Sequence, residues 1–447
     1  MGYMRGTKCA VKCNHLSIFS RFITGPSMTA PAFTLIFLLF AALSFAFGSI
    51  LTIRHVAHIR ANRAAVPAEF AESITLEAHQ KAADYTIQKS RLGMIESVID
   101  LMLLLALTLG GGMLLIHQFA AQWFSGPYTL GLAIFAGLMI ISSIVSTPFD
   151  LIRTFVIEQK FGFNKITFKL YLIDAVKGLL LGAAIGVPLL LVTFWLMEKM
   201  GSLWWLYVWL VWLVFSLAMI VVYPTYIAPL FNKFSPLTDL SLKERIESLL
   251  TRCGFTSSGL FVMDGSKRSS HGNAYFTGLG KTKRIVFFDT LISRLTPSEI
   301  EAVLAHELGH FKRKHITKMI IGQFVLTLII LALMGWVIDK PWFYAGLGFP
   351  LAGAAPHVAI SLALFFLVLP VFTFWLTPLS SLISRKHEFE ADAYAAQQTH
   401  AGDLITALVK LYRDNASTLT PDPLHSAVYD SHPPAAIRIA HLKAMQT

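Results

Sequence analysis

Charge is scarce in this chain. Asp, Glu, Lys and Arg together make up 14% of its 447 residues, against about 25% in water-soluble globular domains. That leaves too little polar surface to coat a soluble particle of this size. Cysteine is scarcer still. Cys9, Cys13 and Cys253 are the only three, and no CxxC occurs, which excludes a disulfide scaffold and a thiolate zinc site. There is no internal repeat and no low-complexity tract.

What fills the space is apolar. Hydrophobic residues are 55% of the chain and aromatics 12%, with 34 phenylalanines, and the mean hydropathy is +0.61. The chain reads as an integral membrane protein. Lys plus Arg total 37 against 26 acidic residues, a net charge of +11. In a soluble protein this would suggest nucleic-acid binding. In a multi-span protein it is explained by basic cytoplasmic loops, and no nucleic-acid partner is needed.

Apolar runs of roughly 20 residues are the unit that crosses a bilayer. Seven occur, at about 32–53, 97–117, 128–148, 175–197, 203–226, 318–338 and 358–380. The second opens with Glu96 and Asp100, so its hydrocarbon-compatible part runs from Leu101 to Ile116. Trp204, Trp205, Tyr207, Trp209 and Trp212 at the start of the fifth resemble an interfacial aromatic belt. The connections after spans 1, 3, 5 and 7 carry most of the basic residues, among them Arg54, Arg60, Lys160, Lys283 and Arg385. The positive-inside rule makes these connections and the C-terminus cytoplasmic. Residues 1–30 are an extension with no assigned role. Arg5, Lys8, Lys12 and Arg21 would fall on the outer side, signal-peptide features are missing, and Gly6 stands where a myristoylation signal needs Ser or Thr.

The expected organisation is a membrane region at 31–226, a first soluble stretch at 227–317, two further spans at 318–380 and a C-terminal stretch at 381–447. In 227–317, Leu242 to Leu250 reads as an amphipathic helix, and Gly259 to Met263 and Arg284 to Phe288 read as short strands. The stretch 381–447 reads as helical, with a proline-interrupted loop at 420–434.

Chemistry enters at Ala305-His306-Glu307-Leu308-Gly309-His310. Positions i and i+4 share a helical face, so His306 and His310 can present two imidazoles to one Zn²⁺. Glu307 lies about 100° around the helix and can act as general base on a water. Thr296-Pro297-Ser298-Glu299 is a capping box with proline at the first helical position. The third ligand is sought in Arg385-Lys386-His387-Glu388-Phe389-Glu390-Ala391-Asp392, on the same side of the membrane. Glu388 and Asp392 are four apart and share a face, while Glu390 points away. One carboxylate of the pair can ligate the metal and the other orient a histidine. The bland alternative is a charged, solvated helix end.

The His306–His310 and Glu388–Asp392 segments together resemble the type I CAAX prenyl protease family of zinc-dependent membrane gluzincins. Glu158-Gln159-Lys160-Phe161-Gly162-Phe163-Asn164 is similar to that family's membrane-domain signature. Ile227 to Asn232, Asn273-Ala274-Tyr275-Phe276, Arg284 to Thr290, and Ser431-His432-Pro433-Pro434 with Arg438 agree in the same order. The resemblance implies a mainly α fold, seven transmembrane helices around a chamber, with a cytoplasmic-side zinc protease domain containing a small β element. It implies zinc held by His306, His310 and Glu388, with Glu307 as base and Asp392 as support. It implies His432 and Arg438 as oxyanion donors, and Asn273, Ala274 and Tyr275 on an edge strand that pairs with substrate.

The resulting expectation is a multi-pass membrane zinc endopeptidase. Its partners would be a peptide or protein substrate, lipidated at the C-terminus in CAAX processing, and membrane lipid; no oligomer is implied. The membrane would be the plasma or inner membrane in a bacterium and the endoplasmic reticulum in a eukaryote. A quality-control protease for membrane proteins is the alternative. A non-catalytic transporter or scaffold is the remote one, disfavoured by the intact His306, Glu307, His310 and Glu388 set.

Overall fold

The computed structural model describes residues 28–277, 284–351 and 357–446; the basic leader lies outside them. Long helices dominate. Helix α1 spans Ala30–Ala61 and is capped by Thr29. Helix α2, Leu76–Leu107, is followed after a glycine break by α3, Gly112–Ala121. Helices α4 (Pro127–Leu151), α5 (Phe168–Lys199) and α6 (Trp204–Val222) complete the N-terminal membrane region.

Five helices among the described residues are long and apolar enough to cross a bilayer, and two more pairs qualify as bent crossings. Counting each pair once gives seven. Their outward faces carry Leu35, Ile144, Leu180 and Val214, all more than 55% exposed. Apolar surface on that scale needs lipid to cover it.

Both bent crossings depart from the uninterrupted spans expected. Between α2 and α3 the chain turns by 57° at Gly110-Gly111-Gly112, where Gly111 adopts a left-handed conformation, φ +76°. The last crossing is α10 (Val358–Thr373) and α11 (Leu376–Gln398), bent by 65°. Helix α11 starts afresh at Leu376, and the Phe374 carbonyl accepts from the Thr377 N–H at 3.2 Å, since Pro378 four residues on has no N–H to offer. The bend turns α11 out of the membrane direction, carrying Glu388 toward the soluble part. Helices α4 and α6 both end in widened π-type turns, Ile152–Glu158 and Tyr223–Ile227, near Pro148 and within reach of Pro224.

The soluble part is built on a four-stranded sheet in the order β1-β2-β4-β3. Its strands are β1 (Phe234–Pro236), β2 (Leu260–Met263), β3 (Ala274–Thr277) and β4 (Arg284–Phe288). Strand β4 runs parallel to β2 and antiparallel to β3, pairing Ala274 with Phe287. Strand β3 is therefore an edge.

Helix α7 (Leu240–Arg252) covers the sheet together with α8 (Pro297–Lys312). Helix α9, His315–Val337, returns to the membrane. Helices α12 (Ala401–Asp414), α13 (Pro423–Tyr429) and α14 (Ala435–Ala444) close the C-terminal part. Ile246, Leu249, Ile285, Phe287, Leu304, Leu308 and Leu404 make its core. The loop expected at 420–434 contains α13. Asp422 accepts from the His425 N–H at 2.9 Å, and Pro423 stands at the first helical position, where its missing N–H costs nothing.

Candidate metal centre

Helix α8 is fixed at its start and along its length. Thr296 accepts from the Glu299 N–H and Glu299 accepts from the Thr296 N–H, closing the capping box at 3.4 and 2.8 Å. A cap of this kind contributes about 1 kcal/mol. Buried Glu299 also pairs with Lys410 of α12 at 2.7 Å, and Glu301 with Arg245 and Arg252 of α7, each at 2.8 Å.

The fit of α8 against α11 brings the chemistry together. A Cβ on Gly309 would stand 2.9 Å from the Cα of Ala391 and 3.2 Å from the Cβ of Tyr394. Glycine here lets two backbones approach more closely than any side chain allows, with Ala391 flanked by Glu388 and Asp392.

One ligand atom each from His306, His310 and Glu388 lies within a single 4.8 Å group. His306 Nε2 and His310 Nε2 are 3.3 Å apart. Glu388 Oε2 is 3.5 Å from His306 Nε2, and its Oε1 is 3.3 Å from His310 Nε2. Glu388 is 3% exposed, yet its Oε2 makes no hydrogen bond. Its charged neighbours, Arg438 Nη1 at 3.4 Å and His306 Nε2 at 3.5 Å, stand close without hydrogen-bonding it, so the oxygen keeps its lone pairs for a cation. Two imidazole nitrogens and one carboxylate gathered this closely are a donor set that suits a zinc ion with a fourth position left open. Burial opposes the charge on Glu388, but the two imidazoles and Arg438 hold its carboxyl far below the ordinary carboxylate range.

Around these three, Asp392 accepts from His306 Nδ1 at 2.8 Å. That leaves His306 Nε2 as the free lone pair. Asp392 is fully buried; burial raises its pKa, while His306 and Arg438 more than reverse that and lower it. Arg438, 5% exposed, donates to both Asp392 oxygens, Nε at 2.9 Å and Nη2 at 2.6 Å. Its Nη1 lies 3.4 Å from Glu388 Oε2.

His432 lies across from α8. Its Nε2 is 3.4 Å from Glu388 Oε1, and its side chain is 60% exposed. The Ser431 hydroxyl meets His432 Nδ1 at 2.9 Å. Asn273, Ala274, His306, Glu307, His432 and Arg438 line one cleft of about 230 Å³. Tyr275 follows on edge strand β3, and the Asn273 carbonyl accepts from the Phe288 N–H at 2.9 Å. Glu390 stands apart from the cluster, its Oε2 3.0 Å from His315 Nε2.

Sequence reasoning passed over His315, Tyr412 and Asn415. Tyr412 and Asn415 line the cleft, and Asn415 Oδ1 accepts from the Gly272 N–H at 3.1 Å, fixing the approach to β3. Nothing local marks them. His315 had a signal, a histidine opening an apolar span five residues after a ligand-type histidine.

Residues 55–233 match the family described as CAAX prenyl protease N-terminal, five membrane helices. Residues 236–446 match peptidase family M48. The chain belongs to the CAAX prenyl protease family within the M48 peptidases. CAAX prenyl protease 1 of Saccharomyces cerevisiae is 43% identical over 323 residues, 69% of this chain and 71% of the relative. The CAAX prenyl protease 1 homolog of Homo sapiens is 31% identical over 425 residues, 85% and 89% respectively. The crystal structure of S. mikatae Ste24p matches with a TM-score of 0.86 and 34% identity, covering 92% of this chain and 99% of that one. Membership in this family makes the chain a multi-pass membrane metalloendopeptidase that acts on a protein or peptide substrate.

Proposed function

We propose that this protease holds Zn²⁺ with His306, His310 and Glu388 and cleaves a C-terminally lipidated CAAX-type substrate on the cytoplasmic side of its membrane. The observation that carries the reading is the buried Glu388 carboxylate set against two imidazole nitrogens, its Oε2 near His306 and its Oε1 near His310. The relatives' printed names point to the CAAX substrate class.

A zinc ion bound there would supply Lewis-acid polarisation of the scissile carbonyl and acidify a water. The remaining work belongs to side chains. Glu307, on the cleft wall, takes a proton from water and later gives it to the leaving amine. The free edge of β3 at Asn273–Tyr275 pairs with the substrate backbone, so binding depends little on side-chain identity. The Ser431 hydroxyl lies 2.9 Å from His432 Nδ1, and in this reading it is the donor, which puts the imidazole proton on Nε2, the nitrogen 3.4 Å from Glu388 Oε1. His432 is thereby set as a donor to charge that develops on the carbonyl oxygen. Arg438 was expected to share that role, but two of its nitrogens are engaged with Asp392. Its proposed role is to hold Asp392 and to balance the charge of Glu388. In domain terms, residues 31–226 and 318–380 supply the membrane region, and 227–317 and 381–447 the protease.

The test is cleavage of a CAAX peptide carrying a farnesylated cysteine by the purified full-length chain, alongside the same peptide with an unmodified cysteine. Release of the last three residues, faster from the lipidated peptide, is expected. Equal rates on both would remove lipid recognition from the reading.

A further inference from the structure

His310 is the one ligand whose second nitrogen is not accounted for by the site described so far. His306 Nδ1 has Asp392. His310 Nδ1 instead lies 3.1 Å from His315 Nδ1, and His315 Nε2 lies 3.0 Å from Glu390 Oε2. His315 is 1% exposed, and its ring stacks on His387 with centroids 3.9 Å apart and planes 11° from parallel.

The connection that leads into His315 is strained. Lys314, between α8 and α9, sits in the left-handed region at φ 57°, one of two such non-glycine residues among those described. A lysine there costs on the order of 1 kcal/mol, and backbone strain of this type gathers at functional sites. Only Arg313 and Lys314 join α8 to α9, and the first side chain of α9 lies against His310.

Proton positions follow from the chemistry of ligation. A neutral histidine that gives Nε2 to a metal carries its proton on Nδ1. His310 Nδ1 must therefore donate, and His315 Nδ1 must accept. His315 then bears its own proton on Nε2, directed at a carboxylate. Every donor and acceptor in the chain is matched, and only this tautomer matches them.

We infer that His315 and Glu390 form a two-step positioning relay for His310, the counterpart of the single Asp392 contact to His306. The relay orients the ring and passes the negative field of Glu390 to the ligand nitrogen, which makes it a better donor to the metal. Partners of this kind are worth roughly 10–100-fold in metal affinity. The relay ties together α8, the entry of the sixth span, and α11, the helix that also carries Glu388. Glu390 thus contributes to the site without being a ligand.

The inference rests on the zinc reading above, and its test separates the two. Zinc dissociation constants are measured by chelator competition on the purified full-length protein, for wild type, His315→Phe, Glu390→Ala and the double variant. His315→Phe keeps a ring for stacking on His387 and removes the acceptor. Glu390→Ala changes a one-third-exposed carboxylate and spares the core. Each single variant should bind zinc about 10–100-fold more weakly, and the double variant no worse than the weaker single. Two results overturn the relay: wild-type affinity in His315→Phe, or losses that multiply in the double variant. Failure of the wild-type protein to bind zinc would instead sink the metal reading and the relay with it.

Discussion

Gly309 and Ala391 are in backbone-to-backbone contact: a Cβ on Gly309 would lie 2.9 Å from the Ala391 Cα and 3.1 Å from its carbonyl oxygen. This contact sets the distance between the helix bearing two imidazoles and the helix bearing the carboxylate.

Gly309→Ala should accordingly push α11 away from α8. Overpacking of a tight contact costs about 1–3 kcal/mol, and here the displaced helix carries Glu388, the proposed third metal ligand. Zinc content and thermal unfolding should both fall. Gly322→Ala in the sixth span, where a Cβ meets nothing within 4 Å, should leave both unchanged. Full zinc in Gly309→Ala would show that the spacing tolerates a methyl group.

The ligand set makes a second prediction. His306→Ala, His310→Ala and Glu388→Ala should each lose bound zinc on dialysis. Glu390→Ala should still reach one zinc per chain at saturating metal, though more weakly than wild type, since its carboxylate meets His315 and not the cluster. An empty site in Glu390→Ala with a full one in Glu388→Ala would reverse the assignment.

The role proposed for His432 is at the transition state. His432→Ala should lower kcat with KM and zinc content nearly unchanged, because the charge it meets is absent from the ground state. Loss of one such donor costs on the order of 3 kcal/mol. Full kcat with full zinc would make it an ordinary loop histidine.

Much of this was legible locally, and what was not has physical causes. The i, i+4 histidines and the Thr296–Glu299 box need only one helix, so residues 296–310 carry their own evidence. Glu388 lies 78 positions beyond His310, and its pairing depends on a 65° bend that hydropathy averages away. The sign of that bend was present in Pro378, but a proline inside an apolar run does not say how far the chain turns. The prolines at 421 and 423 misled in the other direction. They read as interruption, whereas Asp422 as cap makes Pro423 a helix start. The resemblance makes Arg438 an oxyanion donor; its contact with Asp392, 46 positions back, is visible only in the packed structure.

Topology gives a further check. Probes at Lys340 and after Thr447 should label from opposite sides of the membrane, since the bent pair α10–α11 separates them as one crossing. Labelling from the same side would mean that the 65° bend makes a re-entrant loop, and would remove one span from seven.

The most direct test of the central claim joins metal content to turnover in one substitution. Glu307→Gln leaves both imidazoles and Glu388 in place and removes the base. The purified protein should hold about one Zn²⁺ per chain and bind peptide normally, while kcat falls by roughly 10²–10⁴-fold. Cleavage near the wild-type rate with full zinc would contradict the account and place the base elsewhere.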